Sequence, residues 1–360
     1  MTGANEQNPI QHIAYVGVDN KIHECFYYSA SAENLWHFNT PSEGHVAVAR
    51  ETSPTSWWEG VLNAQHIAYV GVDNKIHECF YYLGGPNQWL FNTPSEGRTA
   101  VAPRTSPTSW YSKFDKTQHI AYVGTDFKIH ECFYYFGGPN QWKFNTPSVG
   151  GAPVAPGTSP ASWYPDSVGP NVDLRNIVYS GADNQVYHCQ YWAVLAGWRV
   201  MTLGKSAPRL AVGASPAATS PGVDGAHIVV YVGSDHKVHE AVLAESLWNR
   251  WLFDLPSEGA AAAADTSVPV SATHFDDDED PIFLSAGMHH IAYVGSDRKL
   301  YDCRVSSRYP NFGGDWTVTV IGPTPVAADT SPVFWYSTPG SNSHIAYVGT
   351  DQKIHEVFKM

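Results

Sequence analysis

The segment QHIAYVGVDNKIHECFYY occupies Gln11 to Tyr28 and recurs letter for letter from Gln65 to Tyr82. Worn copies follow, anchored at His119, Asn176, His227, His290 and His344; with His12 and His66 the spacings are 54, 53, 57, 51, 63 and 54 residues. A period of about fifty-five residues matches a propeller blade or a large β-repeat. It confines the chain to an architecture in which each unit buries its apolar surface against the next.

Within one period four strand-like segments follow each other. In the third copy they are Thr105 to Trp110 (TSPTSW), His119 to Gly124 (HIAYVG), Lys128 to Tyr135 (KIHECFYY) and Trp142 to Asn145 (WKFN). Polar turns separate them, GVDNK at Gly17 to Lys21 and GGPNQ at Gly84 to Gln88, with the Asp, Asn and Gly chemistry of tight hairpins. Aromatic residues make up 13% of the chain against 15% charged, alongside 30 glycines and 25 prolines, a mix that favours short strands over helices. The expected fold is all-β, a β-propeller of four-stranded antiparallel blades forming one domain over residues 1–360. The HIAYVG and KIHE strands occur seven times, whereas the TSPxSW and WxF strands occur about six times, because the chain enters at a second strand and leaves at a third. Both terminal hairpins keep the full motif, which favours seven blades over six. Residues 1–11 are the candidate inner strand of the first blade.

The net charge of -13 gives no general attraction to nucleic acid or to anionic lipid. Nothing in the chain reads as a secretion signal or a membrane-spanning segment, so the expectation is a protein that is cytoplasmic or released without a conventional signal peptide. The five cysteines, Cys25, Cys79, Cys132, Cys189 and Cys303, fall one per repeat at one strand position. That pattern argues for small buried thiols rather than a disulfide framework.

Alternation places His12, Ala14 and Val16 on one face of their strand and Ile22, Glu24 and Phe26 together on the next. A turn centred near Val18 sets His12 across from Glu24. The offset of twelve returns as His66 with Glu78, His119 with Glu131 and His344 with Glu356, and with aspartate as His290 with Asp302. Blade four offers Asn176 and His188 instead. Blade five shows an extra valine, so His227 and Glu240 stand thirteen apart and call for a bulge. An imidazole beside a carboxylate can hydrogen-bond the vicinal hydroxyls of a sugar; the plainer alternative is a cross-strand contact that fixes register. For the aromatic face that a sugar also needs, the candidates are Trp36, Trp89 and Trp142 at the start of the fourth strands, or a third-strand tyrosine. Trp58, Trp110, Trp163 and Trp335 close the first strands, and most of the large aromatics are expected to pack blades together. A second histidine, at 23, 77, 130, 239 and 355, becomes Tyr187 and Tyr301 elsewhere, which suits a structural role and not a metal ligand. The acidic run Asp276 to Asp280 lacks the spaced ligands of a calcium loop and reads as a solvated loop.

The stretch TSWWEGVLNAQHIAYVGVDNKIHE from Thr55 to Glu78 resembles a blade of the fungal fucose-specific lectins of the Aleuria type, whose pattern runs Ser-Trp, a loop, Arg-x-x-Tyr, a polar turn, then Ile-x-Glu and a later Trp. The resemblance implies a propeller with sugar sites between blades, gripped by the Arg and Glu of that spacing. Here the carry-over falls on His66, Glu78 and their equivalents. Histidine stands where that family has arginine, and a seventh hairpin stands beside its six blades.

The leading expectation is therefore a multivalent carbohydrate-binding protein, its weak single sites strengthened by avidity. Its partners are glycans or glycoconjugates, self-association into a homo-oligomer is compatible with it, and it needs no cofactor or metal. A propeller glycosidase would need an asymmetric carboxylate pair in one site, and the even spread of polar residues speaks against an enzyme. A protein-interaction scaffold is the other alternative.

Overall fold

The computed structural model describes residues 11–27, 36–83, 85, 88–136, 141–164, 174–192, 197–204, 206–220, 227–244, 250–257, 270–275, 286–308, 315–328, 330–337 and 342–359. The proposed inner strand at the N-terminus and the acidic run at 276–280 lie outside these residues, except for Gln11. Among the described residues all regular structure is β, in seven antiparallel sheets, each one propeller blade. Blade one comprises Gln11–Val16, Ile22–Tyr27 and Trp36–Asn39. Blade two comprises Thr55–Glu59, Ala64–Val70, Ile76–Tyr82 and Leu90–Asn92, and blade three Thr108–Ser112, Thr117–Val123, Ile129–Tyr135 and Lys143–Asn145. Blade four comprises Ala161–Trp163, Leu174–Ser180, Val186–Trp192 and Gly197–Thr202, and blade five Ala217–Thr219, His227–Val232, Val238–Ala244 and Arg250–Asp254. Blade six comprises Val270–Phe275, Ala286–Val294, Leu300–Arg308 and Thr317–Ile321, and blade seven Val333–Ser337, Asn342–Val348 and Ile354–Lys359. The seven sheets bear out seven blades over six. The first and last have three described strands.

The chain divides into two compact units, Met1–Pro147 with blades one to three and Ser148–Met360 with blades four to seven. A lone hairpin is marginal in water, and each unit joins successive hairpins through the segment leading out of a fourth strand. In the first unit Val48 N donates to Asn20 O at 2.8 Å and Ala49 N to Val70 O at 2.8 Å, tying the turn of blade one to the second strand of blade two. In the second unit Leu210 N and Ala211 N do the same at 2.9 Å to Asn184 O and Val232 O. The core lies between sheets: Ile67, Tyr69 and Cys79 of blade two pack with Ile22 and Val48, and Ile228, Val230 and Tyr231 of blade five pack with Val178 and Val186 of blade four. All five cysteines are buried thiols outside any disulfide.

The hairpin turn differs from its expected centre. Ala14 pairs with Glu24 and His12 with Phe26, so the turn centres on Asp19, one residue later than Val18. The cause lies in the turn itself. Gly17 N donates to Lys21 O and Asn20 N to Gly17 O, both at 2.9 Å, and Asn20 takes the left-handed conformation with φ 57°, which asparagine tolerates. Asp19 Oδ1 then accepts from Lys21 N at 3.2 Å and meets His23 Nε2 at 2.9 Å. The same contact recurs in blades two, three, five and seven, and Tyr187 and Tyr301 supply it by donating to Asp183 and Asp297 at 3.0 and 3.1 Å. The second histidine is thus a turn clamp that also stacks on the second-strand tyrosine, as Tyr69 does with His77 at 5.5 Å. The turn must open on glycine, since a Cβ at Gly71 would lie 2.6 Å from the His77 ring.

Blade five needs no bulge. Val230 pairs with Glu240 without interruption, so Ile228 holds the place of His12 and His227 stands one position earlier, on the opposite face. His227 and Glu240 are not a cross-strand pair. In blade two it is Trp57, not Trp58, that pairs with His66, and Trp58 is 36% exposed.

Candidate functional site

His12 and Glu24 lie diagonally across the strands rather than opposite each other, a spacing that long side chains can bridge. His12 Nδ1 sits 2.7 Å from Glu24 Oε1, and the contact repeats at 2.9 Å for His66 and Glu78, 2.8 Å for His119 and Glu131, 2.9 Å for His290 and Asp302 and 2.7 Å for His344 and Glu356. Asn92 Nδ2 donates to the second oxygen of Glu78 at 2.9 Å, and Asn145 Nδ2 to Glu131 at 2.8 Å. A three-residue polar row of histidine, carboxylate and asparagine therefore crosses the outer strands of blades two and three. The row is buried: His66 is 2% exposed and Glu78 and Glu131 are 0%. A buried carboxylate is tolerated only when its acceptors are filled, which the His and Asn donors accomplish. The imidazole of His66 lies flat between Trp57 at 5.0 Å and Phe80 at 5.5 Å. With Nδ1–H given to Glu78, its Nε2 is an acceptor, and that atom is buried with no protein partner, as is Nε2 of His12.

The rows of blades one and five also take contacts from the following blade. Gln65 of blade two donates its Nε2 to Glu24 of blade one. In blade six, His289 Nε2 lies 2.6 Å from Glu240 Oε1 of blade five, and Trp316 Nε1 donates to Asp254 Oδ2 of blade five at 2.8 Å. Trp251 of blade five meets His188 of blade four edge-on at 5.8 Å. Trp89 packs in one cluster with Ala14, the partner of Glu24, and Trp142 in one cluster with Ala68, the partner of Glu78. The fourth-strand tryptophan thus faces the polar row of the blade before it. Trp36, Trp89 and Trp142 are half-buried and tilt against Tyr27, Tyr81 and Tyr134 at 5.7, 5.7 and 5.6 Å, so the two candidate aromatics form one wall.

Blades four and five depart together. His188 Nε2 donates to Asn176 Oδ1 at 2.9 Å, and Gln190 Nε2 reaches the same oxygen at 3.4 Å. Burial, with the nearby His227 adding to it, pushes the His188 imidazole down to about 3 and keeps it neutral. Burial likewise pushes His227 down to about 4, and its Nδ1 accepts from Trp163 Nε1 at 2.7 Å. Beside them opens a cleft of about 490 Å³, lined by Gln190, Trp192, Arg199 and Met201 of blade four and Trp251 and Phe253 of blade five.

The structure brings together five of the six expected pairs and leaves His227 and Glu240 apart, joined to Trp163 and His289 respectively. It adds Asn92, Asn145, Gln65, Asp254, His289 and Trp316. Asn92 and Asn145 could be found by carrying strand alternation from the glutamate into the WxFN segment. The residues donated by the next blade leave no mark in the sequence, because contacts between sheets have no fixed offset.

No family model and no curated protein matches the chain. Among solved structures, a lectin from Burkholderia pseudomallei superposes with a TM-score of 0.70 at 14% identity, covering 99% of this chain and 94% of that one. The six-bladed β-propeller lectin of Aleuria aurantia, described with a fucose recognition mode, gives 0.53 at 16% identity over 85% of this chain and 90% of that one. A lectin solved with alpha methyl fucoside gives 0.56 at 15% identity over 85% and 92%. These likenesses are of fold.

Proposed function

We propose that the protein is a lectin without catalytic activity, binding glycans in the clefts between adjacent blades. The observation that carries this reading is the meeting of one blade's polar row with the next blade's fourth-strand tryptophan, seen with Trp89, Trp142, Trp251 and Trp316 and most directly between Asp254 and Trp316. A carboxylate, an imidazole and an amide below an aromatic wall suit a sugar, which offers hydroxyls on its edges and C–H groups on its face. The row is the floor of the cleft: His66 and Glu78 act from below while Phe80, Tyr82 and Trp142 meet the sugar ring. The fold shared with lectins of two kingdoms supports the reading, and the repetition of the row supports several similar sites.

A glycan array tests it, followed by tryptophan-fluorescence titration of the best monosaccharide. Expected are weak binding of the free sugar, a gain on dense glycan surfaces by avidity, and loss of one site from the stoichiometry in Trp142→Ala. Absence of binding to every glycan would leave a protein-interaction scaffold as the better reading, and turnover of an aryl glycoside would make the protein an enzyme.

A further inference from the structure

The departure of blade four has a consequence for charge. In blades one, two and three the row carries Glu24, Glu78 and Glu131, and in blade five Glu240, whereas at the same register blade four carries His188. The fourth-strand position held by Asn92 and Asn145, and by Asp254 in blade five, is Met201 in blade four. The preceding alternate position, Leu90 in blade two and Lys143 in blade three, is Arg199. The first exchange removes the carboxylate of the row, and among the described residues that line the cleft between blades four and five the exposed guanidinium of Arg199 is the one charged group. The remaining polar lining is neutral: the Gln190 amide, the Thr202 and Ser206 hydroxyls, and Trp192, whose buried Nε1 has no protein partner. The volume of about 490 Å³ falls within the range of small-molecule sites, about 300–1,000 Å³.

From this geometry we infer that the cleft between blades four and five binds an acidic sugar, one whose carboxylate pairs with Arg199 while its ring lies against Trp251. This rests on the lectin reading and assigns one of its sites a ligand class that the carboxylate rows would repel. Arginine's planar fork matches a carboxylate with two parallel hydrogen bonds. The indole N–H of Trp192 and the Gln190 amide are donors for the ring hydroxyls, which find no charged acceptor here. The chain as a whole carries -13, so the attraction is local and weakens as salt screens the pair.

The test is a calorimetric titration with methyl glucuronide and, separately, with the neutral sugar that scores best on the array, using the full chain and Arg199→Gln. Arg199 is exposed, so the variant keeps the far-ultraviolet spectrum of the parent. Expected is glucuronide binding that weakens about tenfold or more in the variant, the effect of losing one charge-assisted pair, and that falls with added salt, while the neutral sugar binds both proteins alike. Equal glucuronide affinity in parent and variant overturns the inference. Binding of the neutral sugar with no glucuronide binding also overturns it and leaves the lectin reading standing, whereas absence of binding by either sugar, or by any glycan, removes both.

Discussion

Two buried neutral histidines, His188 and His227, set an acid limit on the second unit. Their folded values, about 3 and about 4, lie below the ordinary imidazole value of 6.5 because burial penalises the charged ring. The unfolded chain therefore binds protons that the folded one refuses. The stabilisation is whole above pH 6.5 and is lost as pH falls below it, by about 1.36 kcal/mol per unit for each histidine until the folded ring titrates. From pH 6.5 to 5 that is about 2 kcal/mol from each and about 4 kcal/mol together, a large share of the roughly 5–15 kcal/mol that a domain holds. The turn aspartates do not enter this window. Asp19 is held below its ordinary value by the hydrogen bond from His23, and Asp126 by that from His130 although burial alone pushes it up, so their contribution is lost only below about pH 4.

The perturbation that isolates the effect is His188→Gln, whose amide can still donate to Asn176 Oδ1 but takes up no proton. Urea unfolding followed by tryptophan fluorescence, at half-unit steps from pH 7.5 to 5, should show the parent losing about 4 kcal/mol and the variant about 2 kcal/mol. The imidazole resonances of His188 should stay at their neutral position throughout. Parallel stability curves for parent and variant, or a protonated His188 at pH 5 in the folded protein, would refute the reasoning.

Two further perturbations test the row and the turn. Glu78→Ala strands the donors of His66 and Asn92 in a buried site and should cost about 2–4 kcal/mol by chemical denaturation, whereas Lys75→Ala, which removes the exposed ion pair with Glu96, should cost under about 1 kcal/mol. In the turn of blade three, His130→Tyr should change stability by less than about 0.5 kcal/mol, because Tyr187 and Tyr301 already hold that place; Gly124→Ala drives a methyl to 2.6 Å from the His130 ring and should cost about 2 kcal/mol.

The repeat made blade architecture legible because strand alternation and turn chemistry are local, and an exact copy fixes both at once. The seven hairpins, the buried cysteines and the clamp formed by the second histidine follow from that locality. Register was one residue off for a reason equally local but invisible in spacing: the left-handed Asn20 and the Asp19 side chain place the turn centre on Asp19. Because a shift of the centre by one residue moves a cross-strand partner by two, the histidine and carboxylate of five pairs stayed on one face and kept their contact, now diagonal. In blade five the matching histidine letter misled, since His227 fills the place of Gln65 and Ile228 that of His66.

What no offset in the chain reveals is which sheet meets which, and the proposed sites lie where sheets meet. Trp316 serves Asp254 across 62 residues and Trp163 serves His227 across 64, separations set by the packing of one blade on the next. This makes each proposed site a joint property of two repeats. Blade four illustrates the point. Its exchange of carboxylate for His188 and of asparagine for Met201 changes the floor it presents to Trp251, while its own Trp163 meets His188 at 5.3 Å within the sheet and His227 beyond it. A repeat that had only lost its ligand would be expected to close over apolar packing. This one carries Gln190 and Trp192 where blade two carries Phe80 and Tyr82, gains Arg199, and holds a cleft open against blade five, which is the pattern proposed for a site whose ligand is acidic.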